Sequence, residues 1–172
     1  PDQAPVLLNE RDVQDSYSSP GSPVMAPGPY HRYTLQLTPE GNGVYMKGRG
    51  ASPAGVYPFL DRWHLDRNET ERLWQSEDPY FEQVILLGDN SGQRFMTYRQ
   101  SPAEVPNYWR RDLSTDTAEP LTAFPDPLPW FGAVSRQVVR YRRPDGVELS
   151  ATLYLPPSHD PTQHGPLPTL LW

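Results

Sequence analysis

The chain of 172 residues contains no cysteine. That excludes disulfides, thiolate metal sites and a cysteine nucleophile, while leaving the cellular compartment open. Lysine is nearly absent too: Lys47 stands alone beside 14 arginines, and Ile85 is the single isoleucine. This skew is read as base composition and given no functional weight. No apolar run approaches the roughly 20 residues of a membrane-spanning helix. The N-terminus shows no signal-peptide pattern, which says nothing of a start further upstream. A net charge of −6 argues against a nucleic-acid surface, which needs a basic stripe. Apolar residues with glycine make up about 37% of the chain, against roughly 45–50% in typical soluble domains.

What the chain does have is turn formers and aromatics. Its 22 prolines and 12 glycines leave little room for long helices. Five Trp, ten Tyr and five Phe supply large packing groups and argue against disorder. Residues 1–30 are rich in Pro, Gly and Ser, as in Ser18-Ser-Pro-Gly-Ser-Pro-Val24, and read as a loop or an irregular blade remnant. From Tyr33 onward, alternating or apolar stretches predict strands at Tyr33–Leu37, Gly43–Lys47, Phe59–Leu65, Arg72–Gln75, Phe81–Leu87, Gln93–Tyr98 and Tyr108–Leu113. Period-2 runs at this spacing indicate antiparallel β structure.

An internal repeat organises these strands. Ser52-Pro-Ala-Gly-Val56 recurs as Ser101-Pro-Ala-Glu-Val105, Leu65 and Leu73 correspond to Leu113 and Leu121, and Met46 is matched with Met96. Each unit ends in a hairpin with a polar tip, Trp63–Trp74 and then Trp109–Leu121. A period of nearly 50 residues with about four strands is that of a β-propeller blade. Two blades do not close a propeller, so further blades are expected before residue 1.

Phe124-Pro-Asp-Pro-Leu-Pro-Trp130 predicts a stiff, extended connector. Arg136–Arg143 and Val147–Pro156 then predict two strands joined at Pro144-Asp-Gly146. Val147, Leu149, Ala151, Leu153 and Leu155 share one face, and Glu148, Ser150, Thr152 and Tyr154 the other. After a polar loop, Leu167–Trp172 predicts a third strand, left unfinished.

The run Tyr141-Arg-Arg-Pro-Asp-Gly-Val-Glu-Leu-Ser-Ala-Thr-Leu-Tyr-Leu-Pro-Pro157, with Gly165-Pro-Leu-Pro168 after it, resembles the opening of the catalytic domain in serine peptidases of the prolyl oligopeptidase family. Pro20-Gly-Ser-Pro23, Gly48-Arg-Gly50, Pro58-Phe-Leu-Asp61 and Tyr80-Phe-Glu82 are similar to its glutamyl endopeptidase branch, found in plant chloroplasts and bacteria. The resemblance implies a mainly β chain: residues 1–124 as the last part of a β-propeller, 125–135 as a connector, and 136–172 as the first strands of an α/β-hydrolase domain. It further implies peptide or small-protein substrates, cleavage after glutamate, and a Ser-His-Asp triad. Such a triad sets its serine on a Gly-x-Ser-x-Gly elbow. No elbow occurs here, and Gly50-Ala-Ser-Pro-Ala has the wrong spacing. The triad is therefore expected beyond Trp172, and the segment alone is expected to be inert.

No catalytic residue, cofactor or metal ligand is assigned. His159 and His164 lack the i, i+4 spacing of a zinc pair and read as a solvated loop. His64 reads as a strand residue, and His31 has no visible partner. Asp66, Glu69, Glu71, Asp112, Asp116 and Glu119 cluster at hairpin tips, where turns favour acidic residues. Asn68-Glu-Thr70 matches a glycosylation acceptor, relevant only in a secretory protein. Arg110 and Arg111 could pair with an acidic substrate side chain, since guanidinium fits carboxylate; strand-surface arginines are the commoner outcome. Trp63, Trp74 and Trp109 read as packing between blades. Two rival functions stay open: a non-enzymatic β-repeat binding module with 136–172 as a cap, and a related peptidase of acylaminoacyl- or dipeptidyl-peptidase type. Compartment and oligomeric state are left undecided, with no membrane and no nucleic-acid partner expected.

Overall fold

A computed structural model describes residues 5–171. The chain is mainly β and divides into two compact units, Pro1–Pro125 and Asp126–Trp172. The first unit holds strands β1 (Ser22–Pro23), β2 (Met25–Pro27), β3 (Tyr33–Leu35), β4 (Gly43–Gly48), β5 (Ala51–Ser52), β6 (Gly55–Val56), β7 (Phe59–His64), β8 (Glu69–Gln75), β9 (Phe81–Leu87), β10 (Arg94–Gln100), β11 (Asn107–Asp112) and β12 (Thr117–Pro120). Two four-stranded antiparallel sheets carry it, ordered β1-β4-β7-β8 and β12-β11-β10-β9. All seven strands expected from alternation are present, with ends shifted by a few residues. The short pairs β2–β3 and β5–β6 escape a pattern search because they are too brief to alternate.

Alternation decides which residues meet. In the first sheet Tyr45 lies opposite Arg62, and Lys47 opposite Leu60. In the second, Val84 lies opposite Thr97, and Phe95 opposite Leu87 and Arg111. These faces come together around a core of Val24, Tyr45, Leu60, Val84, Leu87 and Phe95, with Leu73, Trp74 and Leu113 against it. Trp74 and Phe95 form a tilted ring pair at 5.6 Å. Fully burying each such side chain contributes on the order of 1.5–3 kcal/mol.

Polar links cross the same seam. The β9–β10 turn presents the carbonyls of Asp89, Asn90 and Ser91, which accept from Gln36 Nε2 at 2.9 Å, the Tyr45 hydroxyl at 2.7 Å and Arg62 Nη2 at 3.3 Å. A bulge in β9 sets Ile85 out of register, and Lys47 Nζ donates to its carbonyl at 2.7 Å. Gly92 closes the turn at φ 73°, where an added Cβ would sit 2.4 Å from the Tyr45 ring. Deeper in the seam, Glu82 is 1% exposed. Its carboxylate accepts from Arg111 Nε at 2.7 Å, Arg111 Nη2 at 2.6 Å and Thr97 Oγ1 at 2.5 Å.

The repeat is present in the backbone. His64 pairs with Glu69 as Asp112 pairs with Thr117, at a constant offset of 48 in residue number. Asn68 and Asp116 hold equivalent left-handed positions, φ 54° and 51°, which Asn and Asp tolerate better than most residues. Cross-strand pairs Arg62–Glu71 and Arg110–Glu119 also coincide, at 3.5 and 2.5 Å. Ser52 and Ser101 each staple their turn, accepting from Gly55 N and Glu104 N at 3.2 and 3.1 Å. The matching of Met46 with Met96 is corrected: registers align Met46 with Thr97 and Tyr45 with Met96. A one-residue slip moves a side chain to the opposite face.

The second unit contains β13 (Ser135–Arg142) and β14 (Glu148–Leu155), paired antiparallel, then the single turn α1 (Pro161–His164). The expected two-faced hairpin is observed: Leu149, Ala151, Leu153 and Leu155 are half-buried and the residues between them exposed. Three expectations are corrected. Pro129–Ala133 forms a 3-10 helix, with Pro129 in its first turn, where no amide donor is needed. Asp160 caps α1, its carboxylate accepting from Thr162 N at 2.8 Å, so the polar loop contains a helical turn. Residues 167–171 form no strand: Pro166 and Pro168 remove ladder donors, and Leu170 and Leu171 are 79% and 90% exposed. Trp172 lies outside the described residues. Among the described residues no helix is long and apolar enough to cross a membrane.

Arg111→Leu strands a buried carboxylate and should cost about 3–5 kcal/mol in urea denaturation. Glu82→Leu combined with Arg111→Leu should lose clearly less than the single change. Equal losses would contradict the buried-pair account.

Candidate functional site

A cleft of about 500 Å³ opens beside the outer face of the first sheet, lined in part by Tyr17, Tyr57, Phe59, Arg72, Gln75 and Asp78. The β7–β8 register puts Asp61 directly across from Arg72. Asp61 is buried, and Arg72 bonds it through Nε and, at 3.4 Å, Nη2. The guanidinium also lies 4.2 Å from the centre of the Phe59 ring. Burial pushes the Asp61 carboxyl up, with Arg72 opposing. On the rim, the Tyr57 hydroxyl donates to Asp78 Oδ2 at 3.1 Å, and that bond raises the phenol. Ser76 Oγ donates to Tyr80 O and accepts from Glu82 N, so it serves the backbone. The cleft thus brings a guanidinium paired with Asp61 together with carboxylates and aromatic rings on one surface.

The residues weighed from sequence do not converge there. Arg111 is committed to the buried Glu82, whereas Arg110 pairs with Glu119 at the surface, and neither lies at the cleft. Asp66 accepts from Asn42, Glu69 pairs with Arg67, and Glu71 with Arg62. Asp112 is bound by Ser114 and Arg94, which hold it well below the usual carboxylate range, at about 2. His64 Nε2 lies 3.8 Å from Glu71, and His31 is exposed. The His159 and His164 rings lie 5.6 Å apart, tilted by 32°, and His164 Nδ1 accepts from Asp160 N at 3.0 Å. Asn68 accepts from Trp63 Nε1 at 2.9 Å and donates to Leu8 O at 3.2 Å, which occupies the amide of the glycosylation pattern. Trp74 packs in the seam as expected, whereas Trp109 stacks on the Arg99 guanidinium at 3.4 Å. Among the described residues no three His, Cys, Asp or Glu side chains gather as a metal site.

Sequence reasoning missed Asp61, Arg72 and Glu82. Asp61 and Glu82 end two of the stretches that carry the family resemblance, but their guanidinium partners become readable only once strand register is known.

No family model matches the chain. It is 37% identical over 183 residues to a probable chloroplastic glutamyl endopeptidase of Oryza sativa subsp. japonica, covering 99% of this chain and 20% of that protein. A protein of the same description from Arabidopsis thaliana is 34% identical over 184 residues, with 99% and 19% covered. The chain thus spans about one fifth of the length of these curated relatives. Solved structures of the AtxE2 isopeptidase align at 16% identity and a TM-score of 0.42 for the S527A variant bound to Astexin3-dC4, covering 76% of this chain and 21% of that one. The apo form aligns at 21% and 0.39, covering 69% and 17%. These structural alignments are too loose to carry an argument about this chain.

The Asp112 carboxyl should titrate near 2 when followed by NMR, and Ser114→Ala should move it back toward the ordinary range near 3.9. Because its folded value is depressed, its contribution to stability is present above the unfolded value and lost as pH falls towards about 2.

Proposed function

We propose that this chain is part of a serine peptidase of the prolyl oligopeptidase family, in its glutamyl endopeptidase branch, spanning the end of a β-propeller and the first strands of an α/β-hydrolase domain. The observation that carries the reading is similarity to glutamyl endopeptidases over 99% of the chain. Two four-stranded antiparallel sheets with equivalent hairpins support the propeller part, since that is the form of blades.

In this reading the first unit restricts access and the chemistry belongs to residues outside the segment. A serine attacks the scissile carbonyl while histidine takes its proton, aspartate orients the histidine, and backbone amides stabilise the oxyanion. The segment would then contribute walls and alignment rather than reacting atoms. Its ion-paired seam suits that role, because a wall must keep its shape as substrates pass.

A longer product of the same reading frame, carrying a downstream Gly-x-Ser-x-Gly, should be labelled by a fluorophosphonate probe and should cleave peptides after glutamate. The 172-residue chain should stay unlabelled. Labelling of the short chain would overturn the assignment of chemistry to residues outside it. A reading frame that stops soon after Trp172 would favour a non-enzymatic β-repeat binding module.

A further inference from the structure

We infer that the polar face of the β13–β14 hairpin docks an extended acidic polypeptide segment, with carboxylates four residues apart flanking an apolar side chain. The two faces of this hairpin differ in chemistry. Val139, Leu149, Ala151 and Leu153 fall on one, while Arg136, Val138, Arg140 and Arg142 fall on the other, opposite Tyr154, Thr152, Ser150 and Glu148. A half-apolar antiparallel ribbon buries its apolar face and keeps the other in water. The arginine face is therefore the one left for a partner.

Its charges are not already spent. Arg142 is held by Glu148 at 2.7 Å. Among the described residues Arg136 and Arg140 have no ion-pair partner, whereas nine other arginines, from Arg62 to Arg143, are paired with carboxylates. Four residues of strand separate the two free guanidiniums by about 13 Å. That exceeds a Debye length of about 8 Å at physiological salt, so their mutual repulsion is small and each stays available. Val138, 63% exposed, lies between them. A groove of about 600 Å³ runs along the turn end of the hairpin, lined by Val138, Arg140, Arg142, Glu148 and Ser150 of this face and by Tyr141 and Leu149 of the other.

Partner chemistry follows from the spacing. An extended peptide places residues i, i+2 and i+4 on one side with the same period of two. Acid, apolar and acid side chains then meet Arg136, Val138 and Arg140 in turn. Each guanidinium can take a carboxylate in a bidentate, charge-assisted pair. A nucleic acid would need a longer basic stripe to track its phosphates. The net charge of the whole chain is −6, so an acidic segment gains most where two unpaired arginines share one strand face.

The test uses the 172-residue chain, 15N-labelled, titrated with the peptide acetyl-Ser-Glu-Ser-Leu-Ser-Glu-Ser-amide. Amide shifts should concentrate in residues 135–155, and affinity should fall as salt rises. Arg136→Gln with Arg140→Gln should weaken binding at least tenfold, as should replacing both peptide glutamates by glutamine. Arg110→Gln should leave it unchanged. Retained dispersion of the hairpin amides checks that the double variant is folded. Equal binding by the double variant, shifts confined to the first unit, or tighter binding of a single-stranded oligothymidine would each overturn the inference. Because no turnover is read, the outcome is independent of the peptidase reading.

Discussion

The second sheet is held where the first can satisfy its backbone. The β9–β10 turn carries carbonyls into a seam that holds much of the apolar core, and an unpaired carbonyl there costs about as much as a lost hydrogen bond. Gln36, Tyr45 and Arg62 each supply one donor to that turn, and Lys47 supplies one to the bulged Ile85. Apolar contact would tolerate several sliding positions of one sheet over the other, because it is non-directional. Four directional bonds from separate residues do not. Tyr45 joins both kinds of constraint, its ring in the core and its hydroxyl on Asn90.

Within this seam the Glu82–Arg111 pair is a specificity device more than a source of stability. Desolvating two charges offsets most of their attraction, and apolar replacements are often no worse. Mispositioning either partner, however, leaves a naked charge inside. The bidentate geometry and the Thr97 hydroxyl satisfy both carboxylate oxygens only when β9, β10 and β11 are in register. Asp61 and Arg72 play the same part for β7 and β8 on the outer face of the first sheet. An arginine that reads as surface-available in sequence can thus be committed to a carboxylate far away in number, as Arg111 is to Glu82.

That distance marks what was legible beforehand. Alternation found the longer strands between Tyr33 and Leu113 and both faces of the β13–β14 hairpin, because period two is a local property. The tip residues Asn68 and Asp116 announced turns for a similarly local reason, their tolerance of positive φ. Pairing register is not local: Met46 and Met96 look equivalent by spacing, but the backbone makes Met46, across from Asp61, the counterpart of Thr97, across from Trp109. The apolar run from Leu167 looked like a strand, yet alternation cannot supply the partner that a ladder requires. For the cleft, Asp61 and Arg72 are eleven residues apart and become a pair only through the β7–β8 bulge.

The repeat keeps what the backbone turns need and varies the side chains between them. At an offset of 48, Asn68 and Asp116 keep the left-handed turn, while Arg62–Glu71 and Arg110–Glu119 keep the cross-strand charge pair. Asp61, whose carboxylate meets the Arg72 that lines the cleft, is replaced by Trp109, which covers Arg99. His64 is replaced by Asp112, which ties Arg94 to its own turn. Two copies of one scaffold therefore present different chemistry on equivalent strands. If turn geometry alone had governed this sequence, those positions would match as the tips do. Their divergence leaves the Asp61–Arg72 pair to the first sheet, while in the second Trp109 and Asp112 engage arginines of their own sheet.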